Sequence, residues 1–260
     1  MKKYILDLEV SGNDSLNENY ALLRLTDRSK PLPPMLPGQF VEVRVDGSSS
    51  TFLRRPLSIN YVDESANEVW LLIHVIGEGT KALATLKVGD MVNVILPLGN
   101  GFTLNETGSV KKELLVGGGV GTAPMLFLGK VLKSQGCEPV FLLGARSKAD
   151  LLQLDDFRQY GEVYLTTEDG SAGEKGYVTQ HSILKEMKFD RIAACGPKPM
   201  MMAVAKYAKE HQIDCELSLE NHMACGVGAC LCCVEKTDKG NVCVCKDGPV
   251  FNLKELTWQI

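Results

Sequence analysis

Six of the nine cysteines in this 260-residue chain fall between positions 225 and 245, and no other feature narrows the possible folds so far. Four of them, Cys225, Cys230, Cys233 and Cys245, lie in the run ACGVGACLCCVEKTDKGNVCVCKDGPVF. Their spacing is C-x4-C-x2-C followed by a more distant thiol, the plant-type pattern of a loop that holds a two-iron, two-sulfur cluster. Gly226, Gly228, Ala224 and Ala229 supply the small residues that a loop wrapped around an inorganic core requires. Two registers compete, because Cys232 can replace Cys233 and Cys243 can replace Cys245. Cys233 is preferred for its x2 spacing, and Cys245 because KDGPVF follows it directly. A zinc knot is the structural alternative. It calls for C-x2-C pairs in both halves, whereas the second half here reads C-x-C. A cluster of this type moves single electrons, so the rest of the chain is read for where they come from and go.

Composition excludes several classes. Apolar residues make up 45% and charged residues 23%, ordinary for a globular protein, and the net charge of −4 gives no reason to expect nucleic acid. No apolar run approaches the ~18 residues needed to cross a bilayer, so no membrane association is expected. The opening MKKYILDLEVSGN meets Asp7 and Glu9 at once and does not read as a signal peptide. An odd number of cysteines gathered in one segment is unlike a secreted disulfide framework. A cytoplasmic location is expected. Cys137 and Cys215 read as structural.

The chain changes rhythm twice. Up to residue 104, short apolar runs (YILDLEV, YALLRL, GQFVEVRV, LSINYV, EVWLLIHVI, DMVNVILPLG) alternate with turns, which predicts an antiparallel β-barrel. From about 111, strand-like KKELLVGG, EPVFLLGA, EVYLTT and DRIAACG alternate with helix-like segments. Among these are TAPMLFLGKVLKSQG, KADLLQLDDFRQYG, a stretch around SILKEM and PMMAVAKYAKEH, an order that predicts a parallel α/β sheet. The cysteine segment follows. The expected division is 1–104, 105–211 and 212–260.

Two small-residue turns leave strands of the predicted α/β part. Gly117 to Pro124, GGGVGTAP, opens a helix and lets backbone N–H groups approach a pyrophosphate. It departs from G-x-G-x-x-G in carrying Pro124, which the first helical turn tolerates. Cys195-Gly196-Pro197 precedes the last helix, and ligands of parallel sheets bind outside the carboxyl ends of strands, so both turns are expected to line one crevice. Cys195 itself reads equally well as a buried apolar residue. Arg146 and Lys148 fit either a ribose phosphate or a solvated surface, leaving NAD against NADP open. In the first part, Arg54 to Ile59 (RRPLSI) offers a diphosphate clamp. Gly77-Glu78-Gly79-Thr80 offers a second phosphate-facing turn, and together they suggest a flavin between barrel and sheet.

Taken in order, RRPLSI (54–59), GGGVGTAP (117–124), CGPKPMM (195–201) and the cysteine tail resemble the ferredoxin-NADP reductase superfamily. Within it they are most similar to the iron–sulfur flavoprotein subunits of bacterial type B dihydroorotate dehydrogenases. The resemblance spans essentially the whole chain. It implies FAD contacts from Arg55, Pro56, Leu57 and Ser58, from Leu72, Ile73 and His74, and from Gly79 and Thr80. It implies ligation of a [2Fe-2S] cluster by Cys225, Cys230, Cys233 and Cys245, and a visit of NAD to Gly119, Gly121, Cys195, Gly196 and Pro197. It further implies a partner, the FMN-containing catalytic subunit, in a heterotetramer of two plus two. Cys232 and Cys243 are extra thiols relative to the motif. Under this reading the partner oxidises dihydroorotate, no acid–base residue is required here, and His74, His181, His211 and His222 are not cast as catalysts. The rivals are a subunit of an NADPH-ferredoxin or sulfide oxidoreductase, and a redox sensor with a vestigial nucleotide site.

Overall fold

In the computed structural model, residues 2–46, 48, 50–104 and 108–260 are described. The first seven strands are β1 (Tyr4–Asn17), β2 (Tyr20–Thr26), β3 (Phe40–Val43), β4 (Arg55–Ser58), β5 (Tyr61–Asp63), β6 (Glu68–His74) and β7 (Met91–Leu98). They form one antiparallel sheet in the order β4-β3-β7-β1-β2-β6-β5, and a short helix α1 (Glu78–Ala84) follows β6. Alternation along each strand sends one set of side chains inward. Leu8 and Val10, Leu23 and Leu25, Val41 and Val43, Leu71 and Ile73, and Val92 and Val94 close into a single apolar core. The sheet therefore rolls around that core as the barrel pattern predicts.

The second sheet is built from β8 (Lys112–Gly118), β9 (Glu138–Ala145), β10 (Glu162–Thr167), β11 (Glu174–Lys175), β12 (Arg191–Cys195), β13 (Asp214–Ser218) and β16 (Val250–Asn252). Its order is β11-β10-β9-β8-β12-β13-β16, parallel except for β16 against β13. Both faces are covered, so the strands read as continuous apolar runs. Leu114 and Val116 pack on one side and Leu115 on the other. Helices α2 (Ala123–Ser134) and α5 (Lys198–Glu210) follow β8 and β12, and α3 (Leu154–Arg158) and α4 (Ile183–Glu186) are single turns. The cysteine segment adds the hairpin β14 (Val234–Thr237) and β15 (Gly240–Cys243), then α6 (Val244–Asp247). Strands β13 and β16 both lie past residue 211, so this segment leaves and rejoins the α/β sheet at its edge.

The expected helix over KADLLQLDDFRQYG is the main departure. A 3-10 turn at Lys148–Asp150 and the five residues of α3 replace it, separated at Gln153, whose φ of +54° is left-handed. Gln153 is held there by tertiary contact, its amide donating to Asn60 Oδ1 at 3.1 Å. That bond belongs to a seam between the two sheets. The buried Asn60 also donates to the Ala123 carbonyl at 3.1 Å, Tyr61 and Tyr160 hydroxyls meet at 2.7 Å, and Lys130 Nζ donates to the Val62 carbonyl at 2.6 Å.

Candidate functional site

The cysteine loop places its thiols in unequal surroundings. Cys225 and Cys230 form one neighbouring pair, and Cys233 and Cys245 a second, the latter joined by the Cys245 N–H donating to Cys233 Sγ at 3.4 Å. Backbone N–H groups of Val227 and Ala229 point at Cys225 Sγ from 3.5 and 3.3 Å, and that of Gly228 at Cys245 Sγ from 3.1 Å. Left-handed glycines make this turn possible. A methyl at Gly226 (φ +66°) would stand 2.6 Å from Glu42 Cγ, and one at Gly228 (φ +82°) 2.9 Å from Lys246 Cδ. Cys232 is exposed, whereas Cys243 is buried at the start of α6, with its N–H bonded to Asp247 Oδ2 at 2.8 Å.

The sulfurs differ in acidity. Burial raises the Cys225 thiol, but N–H groups of Val227, Cys230 and Ala229 and the Cys230 thiol bring it down to about 6. Burial, then the Cys233 side chain, pushes Cys245 up to about 12. Among the described residues no three Cys, His, Asp or Glu side chains close on one mononuclear position. Two pairs ringed by N–H donors fit a dinuclear core instead, with one pair for each iron.

Of the expected flavin residues, Arg55 to Ser58 lie at one edge of the sheet with Gly79 beside them, and Leu72 to His74 lie on the inner strand β6. Arg55 to Ser58 form the edge strand β4, and Gly79 and Thr80 start α1. They meet directly, since a methyl at Gly79 would be 3.1 Å from Arg55 Cδ and from Thr51 Cγ2. The two arginines of RRPLSI have different occupations. Arg54 is spent on the barrel, donating to the Asn93 carbonyl at 2.9 Å and the Glu42 carbonyl at 3.3 Å. Arg55 donates to the Leu53 carbonyl at 3.0 Å and keeps a buried Nε without a partner among the described residues. An orphaned guanidinium nitrogen beside a glycine cradle fits a diphosphate. Thr80 Oγ1 is engaged with its own helix start, accepting from the Ile76 and Gly77 N–H groups at 3.1 and 3.0 Å. Of Leu72, Ile73 and His74, the first two are buried in packing and only His74 reaches a cleft.

That cleft, about 940 Å³, runs between barrel and parallel sheet. Its walls are His74, Tyr20 and Ile76 on one side, and on the other Gly118 to Val120, Arg146, Asp150, Glu168, Pro197, Met200 and Glu220. The two small-residue turns do come together. A methyl at Gly121 would be 2.4 Å from the Cys195 carbonyl oxygen, and Gly196 (φ +153°) lies against Gly118. Gly119 (φ +57°) and Pro197 face the cleft, while Gly121 and Cys195 close-pack beneath it. Burial, then the charge of Glu220, raises the Cys195 thiol well above its ordinary value, and its Sγ lies 3.8 Å from Glu220 Oε1. Lys148 is exposed and outside the cleft lining. His181 packs against Tyr164, and His211 against Tyr207.

Sequence reasoning missed Tyr20, Glu42 and Asn60. Tyr20 stacks on His74 at 4.7 Å with an interplanar angle of 12°, its hydroxyl 3.8 Å from where a methyl on Gly119 would be. Glu42 is wholly buried, and burial, only partly offset by Arg54 and Arg55, lifts its carboxyl to about 7. Single polar residues within strands, or between them as Asn60 is, leave no pattern to read.

Comparison with known proteins agrees with this arrangement. The model of the iron–sulfur cluster binding domain of dihydroorotate dehydrogenase B matches residues 220–257, and that of the oxidoreductase NAD-binding domain matches 115–206. The dihydroorotate dehydrogenase B (NAD(+)) electron transfer subunit of Fusobacterium nucleatum subsp. nucleatum is 40% identical over 223 residues, covering 83% of this chain and 84% of that protein. The same-named protein of Bacillus velezensis is 42% identical over 223 residues, covering 85% and 86%. A solved structure titled for flavin-based electron bifurcation in the NADH-dependent reduced ferredoxin-NADP oxidoreductase superposes with a TM-score of 0.85. It is 30% identical and covers 96% of this chain and 90% of that one. Full-length CYP116B46 from Tepidiphilus thermophilus, 16% identical with a TM-score of 0.70, shares the fold over 97% of this chain and 41% of its own. The chain belongs to the family of dihydroorotate dehydrogenase B (NAD(+)) electron transfer subunits.

Proposed function

We propose that this chain takes electrons from the FMN of a dihydroorotate-oxidising catalytic subunit and delivers them through a [2Fe-2S] cluster and FAD to NAD+, serving pyrimidine biosynthesis in the cytoplasm. The observation that carries this reading is the approach of the cysteine loop to β3, the strand that hydrogen-bonds the FAD-cradle strand β4: Gly226 abuts Glu42, and Cys233 and Cys245 share an apolar cluster with Phe40. The flavin supplies the chemistry of accepting electrons singly and returning them in pairs. Cys225, Cys230, Cys233 and Cys245 ligate the cluster. Arg55 to Ser58, with Gly79 and Thr80, hold the FAD diphosphate, and Leu72 to His74 back the flavin. Gly119 and Pro197 receive NAD on the turn that Gly121, Cys195 and Gly196 underpin. Residues 1–104, 105–211 and 212–260 serve as flavin, nucleotide and cluster parts. The catalytic subunit pairs with this chain as two plus two. Among the described residues no helix is long and apolar enough to cross a membrane.

The test is reconstitution. Full chain carrying iron, acid-labile sulfide and FAD is combined with the catalytic subunit, and dihydroorotate-dependent NADH formation is followed. Orotate should appear in step with NADH. A marked preference for NADPH with an artificial acceptor would favour the NADPH-ferredoxin or sulfide oxidoreductase reading. Loaded protein lacking any diaphorase activity would favour the sensor.

A further inference from the structure

Glu42, on β3, is fully buried, and neither carboxylate oxygen has a partner among the described residues. A buried carboxyl left unpaired is costly, so its position calls for an explanation. Its neighbours provide one. Glu42 pairs in register with Pro56 on β4, the strand of the FAD cradle. On its other flank lies the cluster loop, where the space for a methyl at Gly226 is taken by Glu42 Cγ at 2.6 Å and Oε1 at 2.9 Å. Phe40 shares the strand face with Glu42 and packs in one apolar cluster with Cys233 and Cys245. Arg54 and Arg55 act on the carboxyl as opposite charges and the Cys225 sulfur as a like charge, yet neither arginine bonds a carboxylate oxygen among the described residues. An acidic group thus stands in a water-poor gap between the two cofactor cradles.

We infer that Glu42 sets the reduction potential of the cluster: its carboxylate opposes the added electron and makes the reduced cluster a stronger donor to the flavin. Like charges in a low-dielectric gap repel strongly, and cluster potentials respond to local charge and solvent exposure. The inference rests on the ligation proposed above. Glu42 acts through the cluster's surroundings and touches no substrate, so it is a positioning residue.

The experiment measures the cluster's midpoint potential by electron paramagnetic resonance in the full chain loaded with FAD and cluster, at alkaline pH so that the carboxylate is charged. Glu42→Gln keeps the shape and removes the charge. Its potential should move to a more positive value with iron and sulfide content unchanged, while Glu42→Asp stays close to the parent. Glu42→Met, apolar and similar in volume, carries the same expectation should the glutamine variant fail to assemble. An unchanged potential in Glu42→Gln or Glu42→Met overturns the inference and leaves the ligation reading intact. Loss of the cluster in both makes Glu42 a loop anchor and also overturns it. Absence of iron from the parent protein would instead refute the ligation itself.

Discussion

Cys225 and Cys230 stand at the rim of the loop, the first half-buried and the second exposed, whereas Cys233 and Cys245 are 2% and 0% exposed within an apolar cluster shared with Phe40, Phe251 and Leu256. Both pairs face the same prospective core, yet they are held by different means. At the rim, backbone N–H groups of the loop stabilise Cys225 as thiolate. The floor pair belongs to the core of the nucleotide sheet, where burial favours the neutral thiol of Cys245. One pair is therefore placed by core packing, and the other by the loop's own backbone.

That contrast can be broken experimentally. The largest difference is expected from Cys245→Ser against Cys230→Ser. Both should lose iron, but the buried hydroxyl left by Cys245→Ser should also cost the metal-free protein on the order of 1–3 kcal/mol, or about 2–4 °C in Tm for each kcal/mol. Cys230→Ser should leave the metal-free Tm unchanged within about 0.5 kcal/mol. Equal losses would erase the distinction between rim and floor. Next comes Gly226→Ala, which forces a side chain into left-handed backbone and into Glu42. About 1–2 kcal/mol of strain is expected, read as lower iron occupancy and lower Tm together.

Smaller effects follow from acidity. In metal-free protein at neutral pH, alkylation mapped by mass spectrometry should label Cys225 first and Cys245 last. If Cys245 reacts as quickly, the floor is not closed. The pH dependence of stability has opposite signs at the two ends. Cys225 is lowered from 9.0 to about 6, so its contribution is present above 9 and disappears as pH falls through 6. Cys245 is raised from 9.0 to about 12, so its contribution is present below 9 and disappears as pH rises through 12. Melting curves of the metal-free Cys225→Ser and Cys245→Ser variants across this range should each flatten one limb.

The cluster motif was readable in the sequence because its cysteines are local, three of them within nine positions with the glycines that turn the chain between them. The two nucleotide turns were readable for the same reason, each being a strand end running into a helix. The x2 spacing prefers Cys233 to Cys232, and the two differ in the fold, Cys233 being buried and Cys232 exposed. What could not be read depends on distant partners. Gln153 interrupts an expected helix to reach Asn60, and Tyr20 meets His74 only because β2 and β6 are neighbours in register. Glu42 looks like any acidic strand residue until the cluster loop closes over it. Arg54 and Arg55 are adjacent and chemically identical, and only the direction of the strand separates the one that braces the barrel from the one left with an orphaned donor.

The cluster loop departs the sheet after Ser218 and returns at Val250, and these two residues are register partners across β13 and β16. The N–H of Leu219 and the carbonyl of Pro249 close the same gate at 2.9 Å. An excursion whose ends are fastened together keeps a fixed root however its tip is shaped. The electron port is thus staked at both ends to the edge of the nucleotide sheet and rooted in that sheet's own core, so a change in the loop is felt by the body that carries it.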